Sequence, residues 1–173
     1  QRCRVLQIVR RAHVAFAHGT HSPRIRQQLY SSPQMSTIAF ATYAELPDLD
    51  PDDRLLLPLL QKQGIDVQPA VWNDGGVDWE SFDLIVLRSC WDYDEDPEAF
   101  RQWLNALGEG TVPVLNSPGI GLWNLDKTHL RELAEAGVRV IPTYWAAQGA
   151  PVDLADAIRE LRVDEVVVKP TIS

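Results

Sequence analysis

The chain has 173 residues, 45% of them hydrophobic, with 16 basic against 24 acidic side chains and a net charge of −8. That length allows one domain or one and a half with a sizeable core, and the acidic balance repels a phosphate backbone, which excludes nucleic acid as the main partner and leaves small anions held by local lysines. Two cysteines, Cys3 and Cys90, are too few for a disulfide framework, and no apolar run approaches the ~18 residues that span a bilayer, so a cytoplasmic protein with no membrane partner is expected.

Residues 1–34 carry six arginines and no acid, and orderly hydrophobic patterning starts only after Met35, the single methionine. A disordered or non-native extension is expected there. Its Cys3, His13, His18 and His21 fit no common zinc spacing, and no metal ligand is assigned in this chain.

From Met35 onward, strands and helices alternate. A strand from Thr37 to Tyr43 is followed by an acidic loop and a helix that Asp50 and Pro51 open and Gly64 closes. Leu55, Leu56, Leu59 and Leu60 should form its inner face, with Pro58 kinking or shortening it. Val67 to Trp72 and Asp83 to Arg88 read as strands two and three, Pro97 to Leu107 as a helix buried through Phe100, Trp103, Leu104 and Leu107, and Val112 to Leu115 as a fourth strand. The alternation implies βαβ units, hence an α/β domain with a parallel sheet over residues 35–117. Turn formers from Asn116 to Gly121 lead into a second, α+β unit over residues 118–173. It comprises a helix from Lys127 to Ala136, short strands from Val138 to Ile141 and Thr143 to Ala146, a helix from Leu154 to Leu161 and a strand from Glu165 to Lys169.

Two lysines stand where a positive charge calls for an anion. Lys127, in Trp123-Asn124-Leu125-Asp126-Lys127, falls in the first turn of its expected helix, where a cation opposes the helix dipole and a bound phosphate would reverse that penalty. Lys169 follows three valines, the pattern of a strand buried on both faces, and Pro170 removes the next donor, so its ammonium emerges at the carboxyl end of a strand expected to be central. Such ends are where open α/β sheets bind ligands. The bland alternatives are a lysine stem packed on the valines and, for Lys127, a surface pair with Glu132 or Glu135.

Arg88, Ser89, Trp91, Asp92 and Tyr93 follow the third strand, where an amino-acid-like substrate would meet a guanidinium for its carboxylate and an acid for its amine. Alternatively Arg88 pairs with Asp92 while the aromatics cover the core. Cys90 lacks a neighbouring histidine and reads poorly as a nucleophile; Asp92, Asp94, Glu95, Asp96 and Glu98 read as a helix cap.

Four segments taken in order resemble the ATP-grasp superfamily, in particular the bacterial glutathione-synthetase-like ligases, a group that includes the cyclo-ligase of cycloserine biosynthesis. They are Thr42-Tyr43 before the acidic loop from Asp48 to Asp53, Arg88-Ser89-Cys90-Trp91-Asp92-Tyr93, the segment ending in Asp126-Lys127, and Val166-Val167-Val168-Lys169-Pro170. The resemblance spans Met35 to Ser173 and implies a pre-ATP-grasp α/β domain ahead of the first part of an ATP-grasp domain. It implies that Lys127 and Lys169 hold ATP phosphates, and that Ser173 begins a glycine-rich covering loop. Ligands for Mg2+ are expected beyond Ser173, so residues 1–173 are expected to be an inactive amino-terminal portion of an ATP-dependent carboxylate–amine, or cyclising amide-forming, ligase acting through an acylphosphate. Partners would be ATP and a small amino-acid-like substrate, with homo-oligomerisation left open and catalytic residues unassigned. Cys90, where a small hydroxyl residue is expected, and Pro58 depart from the pattern. The rival reading is a non-catalytic nucleotide- or small-molecule-binding α/β module.

Overall fold

The computed structural model describes residues 5–10 and 36–173. In chain order its elements are β1 (Val5–Arg10), β2 (Ser36–Thr42), α1 (Pro51–Arg54), α2 (Leu57–Gln61), β3 (Ile65–Val71), β4 (Leu84–Leu87), α3 (Pro97–Glu109), β5 (Val114–Leu115), α4 (Pro118–Asn124), α5 (His129–Glu135), β6 (Thr143–Ala147), α6 (Leu154–Leu161) and β7 (Val166–Pro170). Two units divide them: residues 36–122, and residues 5–10 with 123–173.

The larger unit is a parallel sheet in the order β3-β2-β4-β5, as the alternation of elements requires. Period-two side-chain direction along β2 divides its core into two layers. Ile38 and Phe40 point to one face and pack with Leu49, Leu84, Leu57 and Leu60. Ala39 points to the other, where Ala70, Ile85 and Leu107 meet Trp79, Phe82 and Trp103. Alanine on that face leaves room for the large rings, which interlock through Trp72 on Phe100 (5.0 Å, edge-on) and Trp79 on Trp103 (5.2 Å).

Helix α3 buries Phe100, Leu104 and Leu107, three of the four expected positions, with Trp103 half-buried. The Asp96 side chain accepts from the Ala99 amide at 3.0 Å, so part of the acidic run is indeed its cap. Helix α4 replaces the expected turn: Pro118 starts it, and Gly121 lets it approach α3 so closely that a Cβ there would stand 3.1 Å from Leu104 Cδ1.

The helix expected between Asp50 and Gly64 is broken in two. Leu55 and Leu56 donate to the Asp52 and Asp53 carbonyls in i→i+3 bonds, which tighten the winding ahead of Pro58 and rotate the leucine face. Leu60 and Leu57 therefore pack on the core, while Leu55 (69% exposed) and Leu59 (55%) face outward, correcting the expected inner face.

In the second unit the three-stranded sheet has the order β6-β1-β7, antiparallel throughout. Val5–Arg10, from the stretch expected to be disordered, is thus its middle strand, because two strand edges with unsatisfied backbone groups are joined by one extended segment. The other residues of that stretch, including Cys3, His13, His18 and His21, lie outside the described residues. Strand β7 lies at the sheet's edge rather than its centre, and Val168 is exposed. The expected strand from Val138 to Ile141 does not form.

Urea denaturation should separate the two leucine sets. Leu104→Ala, at a site with no exposure, should cost about 2–5 kcal/mol, whereas Leu55→Ser and Leu59→Ser should each stay within about 0.5 kcal/mol. A large loss from either serine variant would restore the unbroken helix.

Candidate functional site

Connections leave β2 toward β3 on one side and return to β4 on its other side, so the sheet's switch point lies between the carboxyl ends of β2 and β4. The amides of Arg88 and Ser89 both donate to the Ala41 carbonyl, at 3.3 and 3.1 Å, fastening the loop after β4 to the end of β2. On the β2 side, Thr42 Oγ1 donates to the Leu46 carbonyl at 2.8 Å, and fully buried Leu49 holds the left-handed conformation (φ 71°), a strained choice for a bulky side chain. Arg54 Nε fixes the Leu49 carbonyl at 2.9 Å, and Asp50 Oδ1 caps the Asp52 amide at 2.9 Å.

These contacts deliver Asp53, which is 2% exposed, to the switch point. Its Oδ1 accepts from Arg88 Nε at 2.9 Å and from Arg88 Nη2, and its Oδ2 accepts from Ser89 Oγ at 2.9 Å. Arg88 therefore pairs with Asp53, correcting the alternative in which it pairs with Asp92. Asp53 belongs to the acidic loop quoted from the sequence but had no assigned role; a carboxylate in the first turn of a helix reads locally as dipole compensation.

The remaining loop residues divide. Trp91, 55% exposed, leans on Tyr43 at 6.1 Å between centroids and lies on the open side. Asp92 Oδ1 accepts from Trp72 Nε1 at 2.6 Å, and Tyr93 packs on Phe100 at 5.7 Å, tying both to the aromatic core. Burial, with Asp94 nearby, pushes the Tyr93 hydroxyl above its usual range. Cys90 is buried, and desolvation together with the Asp92 charge pushes its thiol up to about 12, against a smaller opposing hydrogen bond at the Arg88 backbone. A thiol so held is no nucleophile near neutrality.

In the second unit, Lys127 lies in the turn between α4 and α5, not in a helical first turn. The cause is Asp126, whose Oδ1 accepts from the Thr128 amide at 2.9 Å and delays helix entry to His129. The Lys127 amide donates to the Thr171 carbonyl at 2.8 Å, and its ammonium donates to the carbonyl oxygen and hydroxyl (2.9 Å) of Ser173. Lys127 and Ser173 are thus brought together at the end of β7. Lys169 is exposed on β7, with no ion-pair partner among the described residues. Glu132 accepts from Trp123 Nε1 at 2.7 Å, and His129 is buried with Nδ1 2.9 Å from the Asp126 carbonyl oxygen. A separate groove of about 370 Å³, lined by Leu130, Arg131, Ile141, Pro142 and Trp145 among others, includes neither lysine; Arg131 sits 4.9 Å above the Trp145 ring.

The raised Cys90 pKa has a measurable consequence. The unfolded chain releases this proton near 9.0 and the folded chain near 12, so stability from the buried thiol is complete below about pH 9 and is lost as pH rises toward 12. Cys90→Ala should flatten the alkaline loss of stability in denaturant titrations, and native Cys90 should resist alkylation near pH 8 when its peptide is followed by mass spectrometry. Rapid native labelling would contradict this account.

Residues 38–116 match the family described as the N-terminal domain of D-cycloserine synthetase DcsG. The cycloserine biosynthesis protein DcsG of Streptomyces lavendulae is 34% identical over 142 residues, covering 79% of this chain and 46% of that protein. A crystal structure of D-cycloserine synthetase DcsG matches with a TM-score of 0.59 and 32% identity, covering 72% of this chain and 41% of that one. The chain spans about half the length of its curated relative, 46%. The family match includes Asp53, Arg88 and Ser89; Lys127 and Lys169 lie past its end. By sequence and by fold, the chain is homologous to D-cycloserine synthetase, a biosynthetic enzyme, and contains a counterpart of its N-terminal domain.

Proposed function

We propose that the chain is the amino-terminal portion of an ATP-dependent ligase of the ATP-grasp type, forming an amide, intermolecular or cyclic, through an acylphosphate. The observation that carries this reading is the bond of the Lys127 amide to the Thr171 carbonyl, which brings the Lys127 motif to the end of the strand that carries Lys169, 42 residues further along the chain. Lys127 and Lys169 hold the ATP phosphates, and Ser173, already a partner of the Lys127 ammonium, contributes at the same place. Positive charge positioned before reaction offsets the charge gathering on a transferred phosphoryl group. Homology to a cycloserine biosynthesis protein supports a ligase acting on a small amino-acid-like molecule.

The second part of the reading concerns that molecule. Arg88, at the switch point of the parallel sheet, with Trp91 in the same loop, receives the substrate in the larger unit, while buried Ser89 supports it by holding Asp53. Asp92 and Tyr93 support this loop through Trp72 and Phe100 instead of facing the substrate. Among the described residues no three His, Cys, Asp or Glu side chains stand together as candidate metal ligands.

Nucleotide binding by the full-length gene product tests the lysines. Lys127→Ala and Lys169→Ala should each weaken ATP binding by about 1.5–3 kcal/mol in titration calorimetry, the value of a charge-assisted contact. Unchanged affinity in both variants would overturn the assignment.

A further inference from the structure

The Asp53–Arg88 pair has a dry end and a wet end. Asp53 is 3% exposed in its side chain, whereas Arg88 is 41% exposed. Only Nε and one hydrogen of Nη2 are spent on the carboxylate, so three of the five guanidinium hydrogens have no acceptor among the described residues. Ser89 holds the second carboxylate oxygen, which keeps Asp53 from swinging with Arg88. A pair meant only for cohesion gains little from such an arrangement, since buried ion pairs are poor stabilisers compared with apolar packing. Arg88 belongs to the loop at the switch point, fastened to the Ala41 carbonyl, and Trp91 of the same loop leans on Tyr43.

We propose that Asp53 is a positioning residue, holding the outer edge of Arg88 as a preformed fork for the carboxylate of a small amino-acid substrate, with Tyr43 and Trp91 as the apolar wall beside it. The inference deepens the ligase reading by naming what the larger unit recognises, and depends on that reading only for the reaction the bound molecule enters. A guanidinium fixed along its Nε side loses little rotamer freedom on meeting a planar carboxylate, and its Nη atoms match the two oxygens. A free arginine in water would have to be ordered first.

The test uses the chain itself, 15N-labelled, with the Arg88 Nε–Hε signal followed by NMR. D- and L-alanine and D- and L-serine are the probes, and alaninamide is the control lacking a carboxylate. At least one amino acid should shift this signal saturably and alaninamide should not. Asp53→Asn should weaken the apparent Kd at least tenfold at retained fold, and Ser89→Ala, the milder variant, two- to fivefold. Absence of a saturable shift with all four amino acids would overturn the proposal, as would an unchanged Kd in Ser89→Ala or in folded Asp53→Asn. The ligase reading fails separately, if the full-length protein shows no amino-acid-stimulated release of ADP from ATP while the Arg88 signal still responds.

Discussion

A carboxylate withdrawn from water must find donors or return to it, and Asp53 imposes that condition on the larger unit. Its demands reach in two directions. Arg88 and Ser89 must stand together just past the end of β4, which is arranged by their shared bond to the Ala41 carbonyl. On the other side, α1 must start soon after β2, which requires the compressed loop in which Leu49 adopts φ 71° and sinks fully into the core. Strain of ~1–3 kcal/mol at such a residue persists only when its surroundings over-determine it, and here Arg54 and the leucine's own burial do so. The loops at the switch point therefore behave as one object. Cys90 belongs to it as a small buried group between two residues with fixed partners, not as a reagent.

The second unit places its lysine by a different device. Lys127 is held first by its backbone, through the bond to Thr171, a residue only 2% exposed, and only then by its ammonium. Its location is thus fixed without reference to an anion. Lys169, by contrast, is exposed on an edge strand.

What could be read from the sequence was whatever depends on local periodicity. The face of α3 shows in the spacing of Phe100, Leu104 and Leu107, and the parallel sheet in the alternation of strands and helices. Between Asp50 and Gly64 the interruption expected at Pro58 is present, but two i→i+3 bonds also change the winding, so four leucines that share a face at 3.6 residues per turn no longer do. Three consecutive valines suggested a central strand, yet pattern alone carries no information about strand order, and β7 is an edge. The loop from Arg88 to Tyr93 was found as a segment, but its internal division was not. Arg88 had acids to choose from, and the one it takes lies 35 residues away in a turn whose shape depends on a left-handed leucine. Asp92, the near candidate, is occupied by an indole from β3's end. Charge pairing over such separations is a tertiary fact.

Both margins of the parallel sheet carry a proline. Pro69 lies within β3, and Pro113 immediately precedes β5, which is only two residues long. Proline offers no amide hydrogen, so the outer edge of β3 lacks a donor at Pro69, while the other margin is blunted by the shortness of β5. The Pro113 carbonyl is spent inward on the Ile85 amide at 2.9 Å, and Asn116 turns its side chain back to the Leu87 carbonyl at 2.7 Å. A sheet finished in this way is a poor template for growth, and strand exchange or fibril-like stacking would have to start elsewhere on the molecule.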